Sequence, residues 1–173
     1  MLVWLLLMLT TSPAAAQDAF TLRCDVQAWY DELAQTVLQS RTPGDLDIVH
    51  GVFETEDVSF VDADGHRHDW ADARQRMVQT LQEPLPDQLR LVLRDVKTTS
   101  NGTIAVVRWI TLRTSTDNEG RSGHAGASHA VATVVTYRDT LVQSGTAWKL
   151  KMREQIGAPE TLVDKLPHEY SAG

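Results

Sequence analysis

The chain has a single cysteine, Cys24, among 173 residues, so no disulfide can form within it and no cysteine cluster can hold zinc. The fold must stand on packing alone. Basic residues are scarce too: 16 Lys and Arg against 23 Asp and Glu leave a formal net charge of −7. A protein that grips nucleic acid or an anionic membrane surface needs a basic footprint, so both partner classes are set aside. Proline (6) and glycine (10) are too few, and apolar residues at 42% too many, for a disordered chain. A membrane span needs about 20 apolar residues, and the run Leu2–Leu9 is much shorter. One globular domain remains. A chain of this size buries roughly 70% of its unfolded surface, enough for a core without staples.

Residues 1–16 carry no charged side chain. The apolar run Leu2–Leu9 is followed by Thr10, Thr11, Ser12 and Pro13, then Ala14-Ala15-Ala16. Small residues at the last and third-last positions suit a signal peptidase, which predicts a signal peptide over 1–16 with cleavage after Ala16. The expected compartment is therefore the periplasm or the medium. A retained hydrophobic anchor is the alternative, since the segment lacks a Lys or Arg at its start. The domain is then expected over 17–157, with a short C-terminal tail over 158–173.

Helical spacing marks the first half of that domain. Val26, Trp29, Leu33 and Val37 predict a helix over 25–40, broken by Thr42-Pro43-Gly44, and a second over 45–53. A brief strand over 58–61 runs into the turn Asp62-Ala63-Asp64-Gly65. His66–His68 returns from it, and Asp69 caps a third helix over 71–82. Alternation then replaces helical periodicity. Strands are predicted over 89–98, 103–114, 129–142 and 146–156, joined as an antiparallel meander. Asn101-Gly102-Thr103 is a formal glycosylation sequon, but it reads first as a hairpin turn.

Three helices followed by a curved antiparallel sheet make an α+β order. The carrying segments are Phe60-Val61-Asp62-Ala63-Asp64-Gly65 before the third helix, Tyr137-Arg138-Asp139-Thr140-Leu141-Val142, and Trp148-Lys149-Leu150-Lys151. Over about 25–157 this resembles the cystatin-like cone shared by nuclear transport factor 2, SnoaL-like (DUF4440) proteins and ketosteroid isomerase. The resemblance implies a cone with three helices packed on a strongly curved sheet, a small-molecule site inside it, and homodimers formed through the outer sheet face. Ala130, Ala132, Val134 and Thr136 are small enough to meet a partner there.

Polar residues inside apolar strand rows are the candidates for chemistry, because a buried charge is costly unless paired or useful. Alternation puts Arg108 in the row Ile104–Leu112, His129 and Asp139 in the row His129–Leu141, and Glu154 in the row Trp148–Ile156. Ligand binding is therefore assigned to Tyr30, Arg108, His129, Asp139 and Glu154. Asp139, Glu154, His129 and Tyr30 are the acid–base candidates. A satisfied structural ion pair is the rival reading of the charged set. Tyr30 with Asp31 on the first helix is similar to a donor-and-base pair at a cone mouth.

No metal site is expected. Asp62–Asp69 would need a glutamate at the twelfth position of a calcium loop, and Ala73 stands there. His124 and His129 have no ligand spacing, and no phosphate loop or nucleophile elbow occurs, so no cofactor is expected. The expected activity is binding of a small, partly apolar molecule. The alternatives are a cofactor-independent isomerase, cyclase or dehydratase, and an assembly module.

Overall fold

The computed structural model describes residues 19–84, 86–116 and 128–164. The expected export segment, His124, most of the loop over 115–123 and the tail beyond 164 lie outside them. Among the described residues no helix is long and apolar enough to cross a membrane.

Helix α1 spans Ala19–Gln39 and buries Leu22, Val26, Trp29, Tyr30, Leu33 and Ala34. That spacing of three and four is one face of a helix, and it starts six residues earlier than expected because Leu22 extends the stripe. Helix α2 spans Pro43–Phe53. Its start is fixed by a capping box: the Thr42 hydroxyl accepts from the Asp45 N–H at 3.3 Å, and the Asp45 carboxylate accepts from the Thr42 N–H at 2.8 Å. Strand β1 (Glu54–Val61) and the two-residue β2 (Arg67–His68) flank the expected turn. There the Asp62 Oδ1 accepts from the Asp64 and His66 N–H groups, and Gly65 takes a φ of 85°. Helix α3 spans Trp70–Thr80, with Asp69 as its cap as predicted.

The long strands follow as β3 (Gln88–Thr99), β4 (Gly102–Thr116), β5 (Ser128–Ser144) and β6 (Ala147–Gln155), then a short β7 (Glu160–Val163). The sheet order is β2-β1-β6-β5-β4-β3. Every pair is antiparallel except β1 with β6, which is parallel. The expected all-antiparallel sheet is thus mixed, because the chain leaves β1 through α3 and returns to its side only at the end. β7 arises where sequence patterning shows only a tail. β5 outruns β6, whose pairing begins at Tyr137, so its earlier residues Val131–Val134 take β7 instead.

One face of this sheet closes on the helices. Leu89, Leu91 and Leu93 of β3, Ala105 and Val107 of β4, Leu141 of β5 and Leu150 of β6 form the core with α1, Val49, Phe53 and Val58. The exposed edge of β3 is covered by α1. The Gln27 amide donates to the Leu91 carbonyl at 2.8 Å and accepts from the Leu93 N–H at 2.9 Å. Arg23 donates to the Leu93 carbonyl at 2.7 Å, beside a register shift between Leu93 and Asp95. A side chain here replaces the missing neighbour strand. Gln27→Ala is expected to cost about 1–3 kcal/mol, because it orphans a backbone N–H and a carbonyl. Urea unfolding measures it, and an unchanged midpoint would refute the clasp.

Candidate functional site

The site begins with a bulge. Thr140 pairs with Met152 but Leu141 pairs with Leu150, so Lys151 is an extra residue in β6. Beyond it the inward positions shift by one. Arg153, not Glu154, then faces the helices, directly across from Asp139. The Arg153 guanidinium forks onto the Asp139 carboxylate, Nε to Oδ1 at 2.9 Å and Nη2 to Oδ2 at 2.7 Å. The Tyr30 hydroxyl of α1 donates to the same Oδ2 at 2.8 Å. Tyr30 and Asp139 have no exposure, and Arg153 keeps 8%. The guanidinium also lies over the Trp109 ring at 4.5 Å and the Tyr137 ring at 5.1 Å.

Charge and burial set the protonation of this group. Burial pushes the Tyr30 phenol well up, and the neighbouring Asp139 charge adds to it. Tyr137 is raised chiefly by burial as well. Burial alone would lower Arg153, but the charge and hydrogen bonds of Asp139 outweigh it and hold the guanidinium more firmly protonated.

Arg153 lines two cavities. The first, of about 240 Å³, lies between the helices and the sheet. Leu33, Val37 and Val49 line it from α1 and α2, Trp70 and Met77 from α3, and Leu150 from β6. The second, of about 220 Å³, is lined by Phe60, Tyr137, Gln155, Asp62, His68 and Arg76. Met77, Trp109 and Arg153 line both.

Glu54 opens onto the first cavity at the junction of α2 and β1. The Oε2 of this buried carboxyl lies 2.8 Å from the His50 Nδ1. The His50 ring stacks on Trp70 at 4.2 Å with an interplanar angle of 7°, which fixes its orientation. Burial pushes the Glu54 carboxyl up, against the opposing His50 hydrogen bond and the Arg153 charge. Between the ordinary glutamate range and the raised folded value, the folded state binds the proton more tightly than the unfolded state. Stability should therefore fall as pH rises through that window. Glu54→Gln is expected to flatten this slope in a series of urea midpoints against pH; an unchanged slope would assign it elsewhere.

Of the residues singled out from the sequence, the structure brings Tyr30 and Asp139 together. It separates the others. Arg108 is on the outer face, because the inward row of β4 is Ala105, Val107 and Trp109, opposite to the row expected. Glu154 pairs with Arg138 at 2.9 Å on that outer face, displaced there by the Lys151 bulge. His129 meets Asp164 at 2.7 Å beyond β7, away from either cavity. Asp31 receives the Gln27 amide at 2.8 Å on exposed surface. Asp62, Asp64 and His66 cluster on the turn, and Asp62 is drawn down to about 2 first by its His68 hydrogen bond, then by the His66 N–H.

Sequence reasoning misses Arg153, Glu54 and His50. Arg153 carries no sequence signal, since a bulge is invisible to alternation. His50 and Glu54 stand four apart, a spacing that places them on one side of a helix end.

No protein-family model matches the chain, and no curated protein is significantly similar to it. Solved structures are similar in fold. ActVI-ORFA from Streptomyces coelicolor superposes with a TM-score of 0.51 at 18% identity, over 84% of this chain and 98% of that one. Aln2 from a Streptomyces species gives 0.49 at 16% identity, over 79% and 90%. An NTF-2 like protein of unknown function from Shewanella oneidensis gives 0.44 at 14%, over 75% and 97%. The chain has the α+β cone of the nuclear transport factor 2-like fold.

Proposed function

We propose that this protein, exported by its apolar N-terminal segment, binds a small and partly apolar molecule in the cavity between helices and sheet. The observation that carries this reading is the cavity itself. Its walls are mostly Leu, Val, Trp and Phe, and among the few polar groups in them Glu54 and Arg153 reach it from the paired strands β1 and β6. Apolar walls with a few placed polar groups are the usual form of a ligand site. At about 240 Å³ it suits a molecule of one or two rings, below the roughly 300–1,000 Å³ that drug-sized ligands fill.

Native mass spectrometry of the purified protein, followed by denaturation, should release and weigh a retained molecule. The same spectrum reports whether the chain is a homodimer. A partner would have to sit clear of Ala132 and Val134, which are already buried within the single chain. The mass of the exported form should correspond to a start at Gln17; an intact N-terminus would favour an anchor. For the cavity, the fluorescence of 1-naphthylamine, a neutral two-ring probe, should rise on binding. Val37→Trp, which fills the cavity from α1, should weaken that binding by about tenfold or more. Equal binding by the variant would place the probe elsewhere.

A second reading, acid–base catalysis without a cofactor, is favoured by one observation: a buried carboxyl raised by its surroundings faces the cavity beside an imidazole. It moves the acid–base assignment from Asp139, Glu154, His129 and Tyr30 to Glu54 and His50. An NMR titration placing the Glu54 midpoint in the ordinary carboxylate range would remove it.

A further inference from the structure

The first cavity is walled by more than aliphatic side chains. Trp29, Phe53, Trp70 and Trp109 all stand in its wall, with Glu54 among them. Aromatic rings with a nearby carboxylate make a favourable surround for an organic cation, which the rings attract electrostatically and the carboxylate neutralises.

The charges around the cavity sort into pairs. Arg153 is forked onto Asp139, and Arg113 lies 3.8 Å from Glu83. Glu54 has no guanidinium or ammonium within salt-bridge distance among the described residues; its partner is the imidazole of His50. Its Oε2 faces that ring, and its Oε1 makes no hydrogen bond among the described residues. The formal charge left without a counter-cation is therefore negative, and it faces the cavity. A bound anion would meet Glu54 with Asp139 behind it, and Arg153, the one buried cation among the described residues, is already committed.

We infer that the cavity takes a small arylalkyl or alicyclic amine, its ammonium on Glu54 and its ring body between Trp29, Trp70 and Trp109. This rests on the cavity being a binding site, as proposed above. The ammonium would supply the opposite charge that the buried carboxylate lacks, and the ring would cover the apolar walls.

The test uses three molecules of one shape: 1-naphthylmethylamine, 1-naphthalenemethanol and 1-naphthoic acid. Calorimetric titrations of the full chain are run at pH 8, above the ordinary imidazole range. The amine is expected to bind about tenfold or more tighter than the alcohol, and the acid weakest. Measured on the same variant, Glu54→Gln should bring the amine to within about threefold of the alcohol, and Glu54→Asp should keep the preference. An alcohol that binds as well as the amine, an acid that binds tightest, or a preference that survives Glu54→Gln overturns the inference. The first of these leaves the binding cavity standing and removes only the cation. Failure of all three molecules to bind removes the cavity reading and this inference with it.

Discussion

Replacing Asp139 with Asn is expected to lower the melting temperature by roughly 10 °C. The carboxylate is fully buried and receives two hydrogen bonds from Arg153 and one from Tyr30. An amide of the same shape cannot neutralise the guanidinium. Breaking a buried pair by removing one partner typically costs about 3–5 kcal/mol. For a chain of this size each kcal/mol moves the midpoint by about 2–4 °C. The same physics predicts partial recovery when the whole group is made apolar. Tyr30→Phe, Asp139→Leu and Arg153→Met together should melt above Asp139→Asn, because no unpaired charge is left inside. Circular dichroism melts of the two variants are the measurement. A single variant within about 2 °C of the parent would mean that water reaches the guanidinium and solvates it. The result also bears on function, since it tells a structural anchor from a group free to take part in chemistry.

The second large effect is at Gly102. Its φ of 129° is one that L side chains rarely adopt, and a Cβ there would meet the Leu141 carbonyl oxygen at 2.5 Å. The obstacle is backbone of the paired strand, so neither partner can yield without opening the β4–β5 ladder. Gly102→Ala should cost about 2–4 kcal/mol, strain of about 1–3 kcal/mol with the clash added. Gly65→Ala is the control. Its φ of 85° is also positive, but nothing lies within 4 Å of the added carbon, so only the strain remains. Urea midpoints that rank Gly102→Ala clearly below Gly65→Ala support the clash. Equal midpoints would show that the strands separate there at little expense.

Gly102 also shows how far local reading reaches. The Asn-Gly pair predicts a hairpin turn, and the hairpin is there. Yet Thr99 pairs with Gly102, so Ser100 and Asn101 occupy the turn and the glycine comes after it. Among the described residues Asp164 is the one non-glycine with positive φ, so Asn101 does not take the left-handed form that a type I′ turn requires. Thr103, the third residue of the sequon, is buried.

The order of elements was legible in the chain before any folding. The stripe Val26–Val37, the breaker Thr42-Pro43-Gly44, the Asp69 cap and the alternating second half are local signals, each acting over a few residues. They suffice for an α+β order of elements, and the cone is what the family resemblance implies. Which residues enter the cone depends on how the strands pair and pack. A single extra residue at Lys151 turns Arg153 inward and Glu154 outward, because side chains alternate with a period of two and a bulge resets the count. In β4 no bulge is needed for the error: both rows are apolar enough to be the inner one, and the choice falls to the packing of α1 against Ala105 and Val107. The meeting of Tyr30 with Asp139, 109 positions apart, and of Glu54 with a cavity walled by several elements, has no local precursor. Such contacts exist because the sheet curls round the helices, and that curvature is a property of the assembled strands.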